Sequence, residues 1–164
     1  MFNFAIMQFW ETINNNGYEV LFALSVANIT AQILKVIISS FRHDKTQFKL
    51  AVSTGGMPSS HSATVIAMAT SIGLIEGFNS TLFALSLCIS FIVMYDAAGI
   101  RRSASRQAVV INQIIKIVTK DIPSFSTKRL KELLGHSPTE VIAGAIWGVA
   151  VSIGVRHFIQ YITQ

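Results

Sequence analysis

The chain has 164 residues, of which 51% are hydrophobic and only 13% charged. A soluble domain carries roughly 25% charged residues, so an ordinary soluble domain is disfavoured and a disordered chain, which needs high charge and low hydrophobicity, is excluded. The formal charge of +5 leaves nucleic acid or an anionic membrane face as partner, and the placement of the charges decides between them.

Spanning the hydrocarbon of a bilayer takes about 20 mostly apolar residues. The N-terminal MFNFAIMQFW is aromatic and too short to span. It lacks the basic start and small-residue cleavage site of a signal peptide, and reads as an interfacial or packing segment. The first span is Val20 to Ser39. The second runs from Pro58 to about Gly77; its apolar stretch is short and needs the polar Ser59–Ser62 turn to reach full length. The third is Leu82 to about Ile100. Ser105–Lys120 is apolar at helical spacing with Lys and Arg between, which predicts an interfacial amphipathic helix. The fourth span is Thr139 to about Tyr161. The pattern predicts one all-α domain over residues 1–164, a polytopic membrane bundle of about four spans plus interfacial helices. Cys88 stands alone in an apolar run, so no disulfide framework or zinc cluster is expected. No internal repeat is evident.

The cations are placed unevenly. Lys35, Arg42, Lys45 and Lys49 lie in or beside the loop 40–57, and Arg101, Arg102, Arg106, Lys116, Lys120, Lys128, Arg129 and Lys131 lie in 101–138. With four spans these loops share one side, and only Arg156 lies toward the other. Positive-inside bias puts both loops in the cytoplasm and both termini outside. Basic charge attached to spans, without aromatic interleaving, argues against nucleic acid.

Two stretches carry possible chemistry. In Ser53–Ala63 (STGGMPSSHSA), Gly55 and Gly56 free the backbone to turn, and Pro58 fits the first turn of a following helix. Ser59, Ser60 and Ser62 place hydroxyls beside helix N-terminal amides, a ready anion site that His61 would border. In Gly135–Gly144 (GHSPTEVIAG), His136 precedes a helix start and Glu140 follows four residues later. Each has a plainer reading. Ser137-Pro138-Thr139-Glu140 is a good capping box, and Glu140 need do nothing more. STGGMP can be an ordinary turn, and a lone interfacial His is more often a surface residue. Jointly, two of only four histidines enter two helices from one basic face.

The segments Gly55–Ser62 (GGMPSSHS), Met94–Arg102 (MYDAAGIRR) and Leu133–Val141 (LLGHSPTEV) resemble the divergent PAP2 family, small bacterial and plastid membrane proteins related to acid phosphatases and vanadium haloperoxidases. The resemblance runs from about Ala31 onward. PAP2 phosphatases use the motifs KxxxxxxRP, PSGH and SRxxxxxHxxxD. Pro58-Ser59-Ser60-His61 is similar to the second, with Ser60 for Gly. His136 and Glu140 resemble the final HxxxD, with Glu for Asp. Lys35 and Arg42 have the first motif's spacing, with His43 for the proline. The third motif's Arg is replaced by Leu130, and Arg101 or Arg102 could serve instead.

The resemblance implies an integral-membrane phosphatase acting on a lipid phosphate monoester of the phosphatidylglycerophosphate, phosphatidate or polyprenyl (di)phosphate type. It makes His136 the nucleophile, Glu140 the holder of its other ring nitrogen, and His61 the proton donor to the leaving oxygen. Lys35, Arg42, Arg101, Arg102 and the groups of Ser59 and Ser60 would hold the phosphoryl oxygens. Gly55, Gly56 and Pro58 would shape the turn. Asp96, near a span end, is either an ion-pair partner of Arg101 and Arg102 or an organiser of the site. No carboxylate cluster remains for a divalent cation, so no metal and no cofactor are expected. Partners are the bilayer and the lipid substrate. The site is expected on the cytoplasmic face of a bacterial inner membrane, with His61 and His136 facing one another across a phosphate-sized gap. The other reading is a non-catalytic lipid-phosphate binder or carrier derived from the same fold. Asn28 and Gln32 read as interhelical hydrogen-bond partners, Gly144 and Gly148 as a close-packing GxxxG, and Arg156 with His157 as an interfacial anchor.

Overall fold

The structure is a computed structural model that describes residues 2–41, 56–121, 130 and 135–164. Six helices follow in order: α1 (Phe2–Ile13), α2 (Gly17–Phe41), α3 (Ser60–Glu76), α4 (Thr81–Tyr95), α5 (Arg101–Asp121) and α6 (Pro138–Ile162). A π-helical turn, Asp96–Ile100, joins α4 to α5. Among the described residues there is no strand.

Three helical runs are long and apolar enough to cross a membrane: Gly17–Phe41, Thr81–Val118 and Pro138–Ile162. The expected second span is shorter than the others. α3 has 17 residues, about 25 Å at 1.5 Å per residue, against a hydrocarbon core of about 30 Å. The expected separate interfacial helix at Ser105–Lys120 is instead continuous with the third span, because the π turn widens the helix without breaking it.

α3 is the central element and packs on α2, α4 and α6. Its start is capped by Ser59, whose side chain accepts from the Ser62 amide. Pro58 therefore lies one residue ahead of the cap, outside the first turn where the sequence put it. The α3–α4 turn closes through Gly77 at φ 91°. A Cβ on Gly73 would lie 2.6 Å from the Phe78 ring, so only glycine lets that ring fold back on α3.

Close backbone approach holds the bundle together. A Cβ on Gly144 would meet the Ser59 carbonyl at 2.3 Å, and one on Gly148 the Ala63 carbonyl at 2.5 Å. Ala27, Ala31, Ala63 and Ala67 are fully buried beside them. Large apolar side chains point outward instead, among them Leu21, Ile29, Ile92 and Ile146. Small residues inside and large ones outside is the pattern of helices packed in lipid, where apolar surface gains nothing by being buried. Polar side chains tie the interfaces: Asn28 Nδ2 donates to Thr64 Oγ1 at 2.9 Å, and Trp147 Nε1 to Thr30 Oγ1 at 2.9 Å.

The antiparallel helices α2 and α6 carry similar stripes of residues spaced by four. On α2, Glu19, Ala23, Ala27, Ala31 and Lys35 form one buried stripe. On α6 the matching positions are Glu140, Gly144, Gly148, Ser152 and Arg156, with acid and base again sixteen residues apart. Each acid thereby faces the other helix's base.

At the end holding Glu19, Arg156 Nη1 lies 3.1 and 3.0 Å from the two carboxylate oxygens, and Nη2 donates to Asn15 Oδ1 at 3.1 Å. Arg156 is thus an interhelical tie and not the loose anchor expected, while His157 is exposed. α1 packs there as the sequence suggests: Trp10 stands edge-on to Phe22 and Phe158, and Ile13 joins Ala23, Val155 and Ile159.

Candidate functional site

The opposite end gathers Lys35, His61, His136 and Glu140. α6 begins at a capping box: Ser137 Oγ accepts from the Glu140 amide at 3.4 Å, and Glu140 Oε2 accepts from the Ser137 amide at 3.1 Å. The same Oε2 lies 3.1 Å from His136 Nδ1. The plain reading of Glu140 as a cap and the chemical reading are therefore one arrangement. The box fixes the carboxylate, and the carboxylate fixes the ring. With Nδ1–H donated to Glu140, the neutral imidazole carries its lone pair on Nε2.

His61 sits in the first turn of α3, half-buried, and its ring centroid lies 6.0 Å from that of His136 with the planes at 64°. That spacing is within edge-to-face contact for aromatic rings. The structure brings the two histidines, far apart in sequence, to one place with their rings 6.0 Å apart. His136 is 2% exposed, and His61 is the more accessible of the two.

α3 and α6 are joined directly at this point, because the Ser59 amide donates to the Glu140 carbonyl at 3.0 Å. That amide is therefore engaged, and the Ser59 hydroxyl accepts from Ser62 Oγ at 3.1 Å. Ser60 Oγ accepts from Gln32 Nε2 at 3.1 Å, which ties α2 to the residue next to His61. One turn further along α2, Lys35 is 2% exposed and lies in the field of the Glu140 carboxylate. Its alkyl stem runs beneath Gly56, where a Cβ would come within 3.1 Å of Lys35 Cγ. Gly56 has φ 103°, a left-handed conformation that favours glycine, and a side chain there would also press on Lys35.

Other site residues named from the sequence are placed less fully. Arg42 and Gly55 lie outside the described residues, as do the side chains of Arg101 and Arg102, whose backbones open α5. Asp96 opens the π turn and is half-buried. Among the described residues no group of three or more His, Cys, Asp or Glu could hold a metal ion.

A family model described as the divergent PAP2 family matches residues 16–151. The chain belongs to this family. It is also 43% identical over 142 residues to the uncharacterized membrane protein YuiD of Bacillus subtilis (strain 168), covering 80% of this chain and 90% of that protein. No solved structure matches. For a divergent PAP2 protein, the PSSH segment and the HSPTE segment are the ones that meet in space. Two features of the site were not anticipated from the sequence. One is the Ser59–Glu140 main-chain bond. The other is a second, from the His136 amide to the Ala97 carbonyl at 3.2 Å. Main-chain bonds between distant segments leave no side-chain signal to read.

Proposed function

We propose that this divergent PAP2 protein hydrolyses a lipid phosphate monoester through a phosphohistidine on His136. The observation that carries the reading is one carboxylate, Glu140, holding His136 Nδ1 while His61 stands 6.0 Å away ring to ring. His136 Nε2 attacks phosphorus and the ester P–O bond breaks. His61, as imidazolium, gives its proton to the departing alkoxide, then takes one from the water that hydrolyses the phosphohistidine. Glu140 stabilises the cationic ring, and Lys35 supplies fixed positive charge for the phosphoryl oxygens. Arg42, Arg101 and Arg102 are the further cations within sequence reach of the head group. A site at the end of spanning helices suits a substrate whose phosphate lies at the interface and whose tail lies in lipid. The basic segments 40–57 and 101–138 favour the cytoplasmic face of a bacterial inner membrane.

The test is phosphate release by purified protein from phosphatidylglycerophosphate, phosphatidate and a polyprenyl diphosphate. Turnover is expected with at least one, resistant to EDTA and inhibited by vanadate. His136→Ala and His61→Ala should abolish it while the protein still inserts. Turnover retained by His136→Ala would eliminate the phosphohistidine. Tight binding without turnover in the wild type would point to a carrier instead.

A further inference from the structure

The π turn at Asp96–Ile100 is the one departure from α-helical geometry in the run from Thr81 to Asp121. A π turn carries one more residue than an α turn, which alters the path of the carbonyls and rotates everything beyond it. Such turns are rare and occur frequently at functional sites. Ala97 lies inside this one, 3% exposed, and its carbonyl accepts from the His136 amide at 3.2 Å. The turn also packs on α6. Gly99 has open space around it: a Cβ there would meet nothing within 4 Å. No neighbour therefore requires glycine at 99. Its effect is on the backbone, since glycine weakens the regular helix that would otherwise run through.

We infer that the π turn is a positioning device for His136, with the Ala97 carbonyl as its contact. His136 precedes the cap of α6, so helical hydrogen bonding does not hold its backbone. Two of its contacts contribute to holding it. Glu140 orients the ring at Nδ1, and Ala97 fixes the main chain from which the ring projects. Without the second contact the ring could keep its carboxylate and still swing with residue 136. In a site that works by alignment, a displacement of about 1 Å costs on the order of a hundredfold in rate. This rests on His136 being the nucleophile, but its structural half can be tested without that assumption.

Two variants and two readouts test it in full-length protein in detergent or nanodiscs. Deleting Ala98 returns the turn to α register and moves the Ala97 carbonyl. Gly99→Ala meets no neighbour and improves helix propensity, so it should fold at least as well as wild type. The first readout is deuterium exchange at the His136 amide. Protection is expected in the wild type and should fall about tenfold or more in the deletion, and less in Gly99→Ala, with α2 and α6 amides unchanged. The second is phosphate release, where kcat should fall by about ten- to a hundredfold in the deletion with KM nearly constant. Gly99→Ala should lose turnover while its thermal stability holds or rises, an outcome that a merely structural role does not produce. An unprotected His136 amide in the wild type would overturn the inference. So would normal kcat with normal His136 protection in Gly99→Ala. If the wild type turns over no lipid phosphate, the functional reading falls and exchange alone decides the positioning claim.

Discussion

The two ends of the α2–α6 pair start from the same materials and use them differently. At one end Glu19 meets Arg156 with both carboxylate oxygens, and Glu19 is only 1% exposed. Glu19 also accepts from the Asn15 amide at 2.7 Å, α1 packs on both helices, and the result is a clamp. At the other end Lys35 and Glu140 occupy the equivalent positions, and Glu140 likewise takes a main-chain amide, that of Ser137, but it also holds the ring of His136 at Nδ1. That carboxylate serves a ring and a helix cap at once. The lesson is that a repeated helix pattern sets the register of both ends, and neighbours decide which end is a fastening and which is a site. His136 makes the difference, because its ring is held by the carboxylate itself, and imidazole is a group that can change protonation near neutrality.

This contrast can be broken or sharpened experimentally. The largest effect is expected from Glu140→Gln. The amide can still cap α6, so stability should fall by less than about 1 kcal/mol. Turnover should drop on the order of 10³- to 10⁴-fold, because a neutral partner no longer stabilises the imidazolium. Thermal melts beside lipid-phosphate kinetics check both, and loss of fold in step with turnover would erase the distinction between the ends. Next is Arg156→Leu, which leaves Glu19 buried without its base. It should cost about 3–5 kcal/mol in a reversible unfolding assay, while turnover per folded molecule changes little. The double variant Glu19→Leu with Arg156→Leu should recover much of that stability. Between the ends, Gly148→Val drives a side chain into the Ala63 carbonyl. It should destabilise by about 1–3 kcal/mol and disturb both ends equally. The smallest effect is Asn28→Ala, which removes one interhelical bond to Thr64 worth about 0.6 kcal/mol.

Much of the site was readable because its parts are local. Ser137 to Glu140 is a capping box by spacing alone, and His136 adjoins it. Asn28 and Gln32 share a helix face with Lys35, which announces hydrogen bonds to a neighbour, and α3 supplies them through Thr64 and Ser60. Gly144 and Gly148 announce close packing. The Glu19–Arg156 clamp was legible in principle, through acid and base sixteen residues apart on two helices. Sequence spacing alone does not say which of several cations an acid will meet, and helix packing pairs Glu19 with Arg156.

Composition and helical periodicity by themselves determined that this chain is an all-α membrane bundle, and its GGMPSSHS, MYDAAGIRR and LLGHSPTEV segments carry the resemblance to the divergent PAP2 family. They also determined that its histidines of interest enter two helices from the basic side. Those properties depend on solvent preference and spacing along one chain, which the residues carry individually. The tertiary structure alone decided that His61 and His136 meet edge to face, that Glu140 divides its hydrogen bonds between cap and ring, and that Ala97 holds the backbone of residue 136. Each of these depends on how closely helices approach and on which main-chain groups then face each other. Backbone carbonyls and amides are the same at every position, so only packing can say which of them will pair.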